Sequence, residues 1–594
     1  VSGGNEKSNF IGTLGYTNQT GISINSGMER FTGRIDANSK WNKFEYGMNA
    51  TFSWTRNKHT PEGQYYASAL YSSKYQLTPS IPIYNEDGSY HTGFQNNGGI
   101  NPLYENSVDS NYARLARTMA SAKAAYHILD GLKLSTIFTV DYSLNKDFFF
   151  YSPDGKDGEA TQGSGQMMMI ERMSYTSQTN LAYNKTFGKH NINAVLAYEV
   201  MKYDYEDMYG EKQVYGQTLN PSLDNGAKPA DLTNTRQEDA MVSYVGSLNY
   251  GYNDKYYAGF SFRRDGSSRL APDTRWGNFW AVSASWRLSQ ENFMKPWEDV
   301  VSDMKLRASY GVNGNLPTGY YGYHGTYTTG AFYNGKPAPW EDAIANPDLT
   351  WEKAKKMNVG VDINLFNNCL TASFDIFKEK RNNILANRST SPMIIGANLP
   401  AYNFGEMENR GWEMDLNFRH HIQDFHYWAR FNYSFARNEI IYMDEVQKRY
   451  DYQMTTGRRK NQFFGLIFDG YYNSWEEINA LDRPKSSWSG NQLQPGDVKY
   501  IDVNQDGVID DYDMVPIGYT PVPEIIYGFS FGAQYKGFDF SILFQGADNV
   551  SIKYFGRSMW PFAKGEESAK SLIKERWTQE RYEAGEKITF PRLS

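Results

Sequence analysis

The sequence predicts an all-β fold, a large antiparallel β-barrel built to cross a membrane. Three observations carry this. Apolar and polar residues alternate with a period of two over many segments. Short and long connections between those segments alternate along the chain. Tyrosine and tryptophan gather near the ends of several alternating runs. In a strand, successive side chains point to opposite faces, so each run has one apolar and one polar face.

The runs follow in chain order. VSGG at the start reads as the tail of a strand. Tyr256, Ala258, Phe260 and Phe262 oppose Tyr257, Gly259, Ser261 and Arg263. Trp280, Val282, Ala284, Trp286 and Leu288 oppose Ala281, Ser283, Ser285 and Arg287. The same rhythm recurs over 357–365, 370–377, 412–419, 427–435, 527–535 and 538–545. Across these eight runs the apolar face carries no charge, whereas the other face carries nine. Hydrocarbon demands such exclusion, because Lys or Arg on the lipid face at the bilayer midplane costs ~2–4 kcal/mol. A dry protein core excludes charge as well, so the connections must decide between the two.

Short turns join paired runs at 185–191, 251–256, 365–370, 419–425 and 534–540. Long segments separate the hairpins, at 56–115, 144–173, 203–239, 314–350, 383–408, 438–522 and 549–594. An up-and-down meander then places the tight turns at one end and the long loops at the other, as in outer-membrane barrels. Loops of that length are uncommon in compact soluble domains. Tyr250, Tyr252, Tyr256, Trp412, Tyr527 and Tyr535 fall where aromatic girdles would meet the membrane interfaces. The prediction is therefore Trp280, Val282, Ala284, Trp286 and Leu288 toward lipid, and Ala281, Ser283, Ser285 and Arg287 toward a wet lumen. About 17 complete strands are expected, with closure of the barrel removing exposed edges. A surface helix is expected over 566–580.

Composition narrows the function classes. Of 594 residues, 16% are aromatic and 21% charged, with a net charge of −7, so nucleic acid is an unsuitable partner. The one cysteine, Cys369, allows no intrachain disulfide. Neither GxSxG, HExxH, a Walker loop nor a dinucleotide fingerprint is present, so catalytic residues and an organic cofactor are not expected. His420 and His421 are adjacent and would point apart in an extended chain.

The sharpest local motif is DVNQDGVIDDYD at 502–513. Asp502, Asn504 and Asp506 take positions 1, 3 and 5 of an EF-hand-type loop, and Gly507 takes the sharp turn at position 6. Val508 offers a carbonyl at 7, Asp510 lies at 9, and Asp513 replaces the usual glutamate at 12. Calcium prefers six to eight hard oxygens, which this spacing can wrap around one ion. Its expected role is to rigidify a long loop. An ion-free acidic turn is the alternative. Inward charges at Arg263, Arg287, Asp362, Asp375, Glu413 and Asp415 could touch a solute, or simply solvate the wall. The aromatic loop GYYGYHGTYTTGAFYNG at 319–335 could stack on sugar rings, or pack among its neighbours.

Longer stretches carry a family resemblance: SGMERFTGRID at 26–36, YYAGFSFRRDGSSRLAPDTRWGNFWAVSASWRLSQENFM at 256–294, MKLRASYGVNGN at 304–315, NPDLTWEKAKKMNVGVDINLF at 346–366, NFGEMENRGWEMDLNF at 403–418 and PGDVKYIDVNQDGVIDDYDMVPIG at 495–518. In these the sequence resembles the SusC/RagA-like TonB-dependent transporters of Bacteroidetes outer membranes. The resemblance implies a 22-stranded barrel in the outer membrane, filled by an N-terminal plug. It also implies a SusD-like surface lipoprotein as lid, TonB as the source of energy acting on the plug, surrounding lipid and lipopolysaccharide, and import of oligosaccharides or peptides. A dimer of the two-protein complex is among the implied assemblies. The chain begins at Val1 without a signal peptide, and the expectation is that the plug, its TonB box and the last strands lie outside it. On the residues alone, a passive porin and a secreted glycan-binding β-protein stay open as other classes.

Overall fold

The computed structural model describes residues 1–60, 81–92, 101–216, 220–317, 319–330, 332–389, 393–395, 397–487, 493–555 and 571–593. Eighteen strands form one sheet. They are β1 (Ser2–Gly4), β2 (Ser8–Thr20), β3 (Gly27–Trp41), β4 (Phe44–Lys58), β5 (Ser110–Leu129) and β6 (Leu132–Tyr151). Next come β7 (Ser164–Phe187), β8 (His190–Tyr215), β9 (Gly226–Tyr252), β10 (Tyr256–Ser267), β11 (Trp276–Arg287) and β12 (Val301–Asn315). The last six are β13 (Glu352–Leu365), β14 (Leu370–Ala386), β15 (Tyr402–Ile422), β16 (Phe425–Tyr442), β17 (Ile525–Tyr535) and β18 (Phe538–Asp548). Each pairs antiparallel with the next, an uninterrupted meander. Residues 2–4 are the short strand tail read from VSGG. The expected closure is not seen in this chain: among the described residues no ladder joins β1 or β2 to β18.

The two ends of the sheet differ as the connection lengths require. One end carries the bends at 42–43, 130–131, 188–189, 253–255, 366–369, 423–424 and 536–537. Tight hairpins need positive φ, supplied at Lys536 and Gly537 by +44° and +88° and at Asn253 and Asp254 by +54° and +53°. The opposite end carries the long connections, of which 443–524 is the largest. Two segments read as loops are mostly strand. β6 continues to Tyr151 and β7 starts at Ser164, while β8 and β9 pair from His190 to Tyr215 and from Gly226 to Tyr252. Beyond the membrane both faces of a strand meet water, so the alternation that reveals a strand is lost there.

The outward face is a continuous apolar band. On β11, Trp280, Val282 and Trp286 are 41%, 43% and 36% exposed. Their ladder neighbours on the same face include Phe260, Phe262, Leu306 and Tyr310. Leu288 differs from expectation in belonging to a 3-10 turn, Leu288–Gln290, that ends the strand. Rings mark both borders of the band. At the turn end Phe44 lies 6.4 Å from Trp41 and 4.6 Å from Tyr126. At the loop end Phe31 lies 4.8 Å from Tyr16 and 5.9 Å from Trp54. Trp412 is in the middle of β15 instead of near its end, stacked 4.7 Å from Tyr433. It still borders the band, because the strand runs on past the membrane: the next outward row is Lys378, Arg410 and Arg437. Around the sheet the matching row is Arg56, Arg114 and Lys146. The band on β16, Tyr427 to Phe435, agrees with the 9–11 residues a tilted spanning strand needs.

The continuous helix expected over 566–580 is absent where the chain is described. Ser571–Glu575 is a 3-10 turn and only Gln579–Glu583 is α-helical, with 566–570 outside the described residues. Thr578 caps that helix by accepting from Arg581 N, which starts it later than periodicity alone suggested. Trp577, beside the cap, is buried and donates to Asn473 Oδ1 at 3.1 Å, tying this segment to 443–524.

Candidate solute path and loop cation sites

The inward face is polar, and arginine–carboxylate pairs recur along it. Arg307 on β12 stands level with Ser285 and Gly360 on the neighbouring strands. Its guanidinium donates to both oxygens of Asp362, at 2.7 and 2.9 Å, and to both of Asp375, at 3.0 and 3.0 Å. The fork geometry of arginine suits such paired recognition. Gly360 makes room for the cluster, since a Cβ there would lie 2.4 Å from Asp375 Oδ1. Farther along the wall, Arg263 donates to Asp265 at 2.7 Å, to Ser243 at 2.8 Å and to Glu199 at 3.1 Å. Arg287 meets Asp303 at 2.7 Å, and Arg117 meets Asp141 at 2.9 Å through Nε.

Four of the six inward charges named from the sequence, Arg263, Arg287, Asp362 and Asp375, thus lie in ion pairs. Glu413 accepts from Ser434 at 3.4 Å, and Asp415 accepts from Asn417. Arg307 was missed as a candidate, although it is the hub. Its signal was present in MKLRASYGV, where Leu306, Ala308 and Tyr310 alternate with Lys305, Arg307 and Ser309. A 350 Å³ recess in the wall is lined by Asn249, Tyr257, Ser283, Lys305, Arg307 and Asn358, among others. Toward the loop end, Leu270, Phe279, Leu349 and Trp351 form a dry core that anchors the loops.

The aromatic loop divides in two. Tyr320 lies 4.3 Å from the Arg269 guanidinium and accepts from it, Tyr321 accepts from Glu238 N, and Tyr323 packs on the dry core. Tyr327, Phe332 and Tyr333 are exposed, as is Tyr321 despite its hydrogen bond. His420 sits 5.8 Å from Tyr427 and His421 stacks 5.5 Å from His426 across the hairpin, but the two histidine rings do not diverge as an extended chain would have them: their centroids lie 6.1 Å apart beside the turn. Cys369 lies half-buried in the 366–369 bend.

The 502–513 loop is coiled by its own side chains. Asp502 Oδ2 accepts from Gly507 N at 2.8 Å, Asn504 Oδ1 from Asp506 N at 3.0 Å, and Asp506 Oδ1 from Val508 N at 2.9 Å. Gly507 holds φ +83°, the left-handed turn demanded at that position. Asp513, wholly buried, accepts from Val503 N and Asp510 N at 2.8 Å each. Asp510 accepts from Tyr512 N, and Val508 pairs in a short parallel ladder with Lys485. Asp502 Oδ1 is buried without a hydrogen-bond partner, which fits a position-1 ligand oxygen left for an ion.

A second acidic site was not foreseen. Glu105 belongs to the helix α1 (Pro102–Val108), Asp109 follows it, and Asp157 belongs to the short helix α2 (Lys156–Glu159). Asn101 caps α1 and also donates to Ile83 O and His91 O, which ties the helix to the 81–92 segment. Glu105, Asp109 and Asp157 are all buried, and each offers an oxygen within 4.8 Å of the others. Among the described residues no other set of three His, Cys, Asp or Glu gathers this closely. Burial pushes the Asp109 carboxyl up to about 8, against the Ser152 N–H bond and helped by the neighbouring carboxylates.

A continuous band of apolar outward residues, girdles at both borders, a polar inward face and unequal ends define a long-looped outer-membrane β-barrel. The family described as TonB dependent receptor-like, beta-barrel, matches residues 16–550. The chain is 28% identical over 575 residues to TonB-dependent receptor P3 of Formosa agariphila, covering 92% of this chain and 56% of that protein. It is 24% identical to TonB-dependent receptor SusC of Bacteroides thetaiotaomicron, covering 93% and 57% respectively. The solved RagAB peptide transporter superposes with a TM-score of 0.81 at 19% identity, over 100% of this chain and 66% of that one. The chain belongs to the TonB-dependent receptor β-barrel family, is of SusC/RagA-like type, and is an outer-membrane barrel. It spans little more than half the length of the curated relatives it matches.

Proposed function

We propose that this chain is the barrel of an importer that takes oligosaccharides or peptides across the outer membrane. In this reading TonB drives uptake through a plug held against the lumen wall, and a SusD-like lipoprotein covers the loops. The observation that carries it is the inward face: a wall of arginine–carboxylate pairs and amides, centred on Arg307, that can hydrogen-bond a polar plug and a polar solute. The exposed rings of Tyr327, Phe332 and Tyr333 supply flat apolar faces of the kind sugar rings and peptide side chains stack on. The outward row of Arg56, Arg114, Lys146, Lys378, Arg410 and Arg437 lies where lipopolysaccharide phosphates would meet it. Calcium at Asp502, Asn504, Asp506, Val508, Asp510 and Asp513 would rigidify the 443–524 loop, supplying charge neutralisation and no chemistry of transport.

The deciding experiment is isolation of the native complex from membrane, with mass spectrometry of the lipoprotein and solute it retains, followed by uptake of that solute in cells with and without TonB. Uptake is expected to disappear without TonB. Equal uptake in both would instead indicate passive diffusion through the barrel.

A further inference from the structure

We propose that Glu105, Asp109 and Asp157 form a calcium site that staples the 101–109 segment to the 152–163 segment at the loop end of β5, β6 and β7. This site is separate from the 502–513 loop and requires none of its residues.

The argument starts from the positions of the oxygens. Glu105 and Asp109 are one helical turn apart, so both carboxylates leave the same side of α1. Asp157 comes to them from α2, far away in sequence. Oxygens bound to one calcium at ~2.4 Å lie no more than about 4.8 Å apart when they are on opposite sides of it. The three carboxylates meet that limit. Magnesium, at ~2.1 Å, demands a tighter, near-octahedral set of oxygens and gives up its waters reluctantly, which suits it less well to a site of protein carboxylates.

A cluster of acids alone could be only a set of acceptors for backbone N–H groups, and three of the oxygens do serve as such. Glu105 Oε1 accepts from Lys156 N at 3.0 Å and its Oε2 from Asp157 N at 3.4 Å, and Asp109 Oδ1 accepts from Ser152 N at 2.8 Å. The independent observation is the other oxygen of Asp109. Asp109 is 7% exposed, and its Oδ2 is buried with no hydrogen-bond partner. A carboxylate oxygen that is shut off from water, has no donor and sits beside two further carboxylates is stabilised by a cation. Three hard oxygens and no imidazole or thiol select a hard ion. Such an ion would cross-link the two connections beyond the hydrogen bonds they already share, and so fix the mouth above β5–β7.

The test uses the full-length protein in detergent, stripped with EGTA and returned to calcium or magnesium. Cleavage within 101–163 is followed by limited proteolysis, and bound calcium by elemental mass spectrometry. Calcium at ten times its dissociation constant is expected to slow that cleavage about tenfold, with magnesium much weaker. Asp109→Asn and Asp157→Asn should each lose one calcium per chain and the protection of 101–163. Asp502→Asn should keep that protection, which separates this site from the other loop. If the cluster is instead neutralised by a proton, cleavage of the wild type will not respond to EGTA and both variants will keep the wild-type calcium content, which overturns the proposal. Should the variants fail to assemble, the response of the wild type to EGTA alone decides.

Discussion

Val282 and Ser283 are adjacent residues in different solvents, one against acyl chains and the other against the lumen. Val282→Arg should therefore cost ~2–4 kcal/mol and abolish the heat-modifiable band that marks an assembled barrel on a gel. Ser283→Arg should assemble normally, and equal behaviour of the two would overturn the facing. Arg307→Ala is expected to leave Asp362 and Asp375 facing each other unpaired and to lower stability by about 1–3 kcal/mol, read from urea unfolding in detergent. Adding Asp375→Asn should recover part of the loss, because it removes one of the two stranded charges. At this scale the sequence was informative wherever a residue's neighbour two places away constrained it. The facing of Val282 was legible for that reason. The roles of Arg307 and of Asp109 were not, since each depends on partners brought in from other strands or loops by ladder register.

Elements were legible to the extent that a membrane acted on them. The bends at 188–189, 253–255, 366–369, 423–424 and 536–537 fall inside the segments that turn chemistry pointed to. The outer halves of β7, β8 and β9 did not stand out, because stretches such as Tyr203, Asp204, Tyr205, Glu206 and Asp207 are polar on both faces. Trp412 was placed near a strand end for the same reason: its strand was read only as far as the lipid reached. The 443–524 connection supplies a test of its own. Burial works to raise the Glu445 carboxyl, but the N–H groups of Thr455 and Thr456 and the Thr456 hydroxyl outweigh it and hold the group below its ordinary range. A depressed pKa contributes stability at and above the ordinary carboxylate range, and that contribution is lost as pH falls through the folded value. Hydrogen exchange over 445–456, corrected for its intrinsic pH dependence, should stay slow from neutral pH to about 4.5 and accelerate below it. Glu445→Gln should remove that response.

For the whole molecule, the alternation of connection lengths identified the architecture before any single strand did, because only a meander through a slab sorts short bends and long loops to opposite ends. The acidic trio and the 502–513 loop both sit on the loop side, so calcium removal is expected to loosen that side while leaving the spanning band folded. Circular dichroism of the stripped protein should retain its β signal, while protease cuts appear only beyond β5–β9 and in 443–524. The strands themselves are unequal in height. β9, at 27 residues, is about 90 Å of extended chain, well over twice what a tilted strand needs to cross hydrocarbon, and β7 and β8 rise beside it. β10 and β11 stop at 12 residues each. The mouth is therefore a stockade with one tall flank of paired staves and, at β10 and β11, a lower stretch finished by loops packed on their own dry core. On the β7–β9 flank the paired ladder itself runs on past the membrane, whereas beside β10 and β11 the wall gives way to connections between strands.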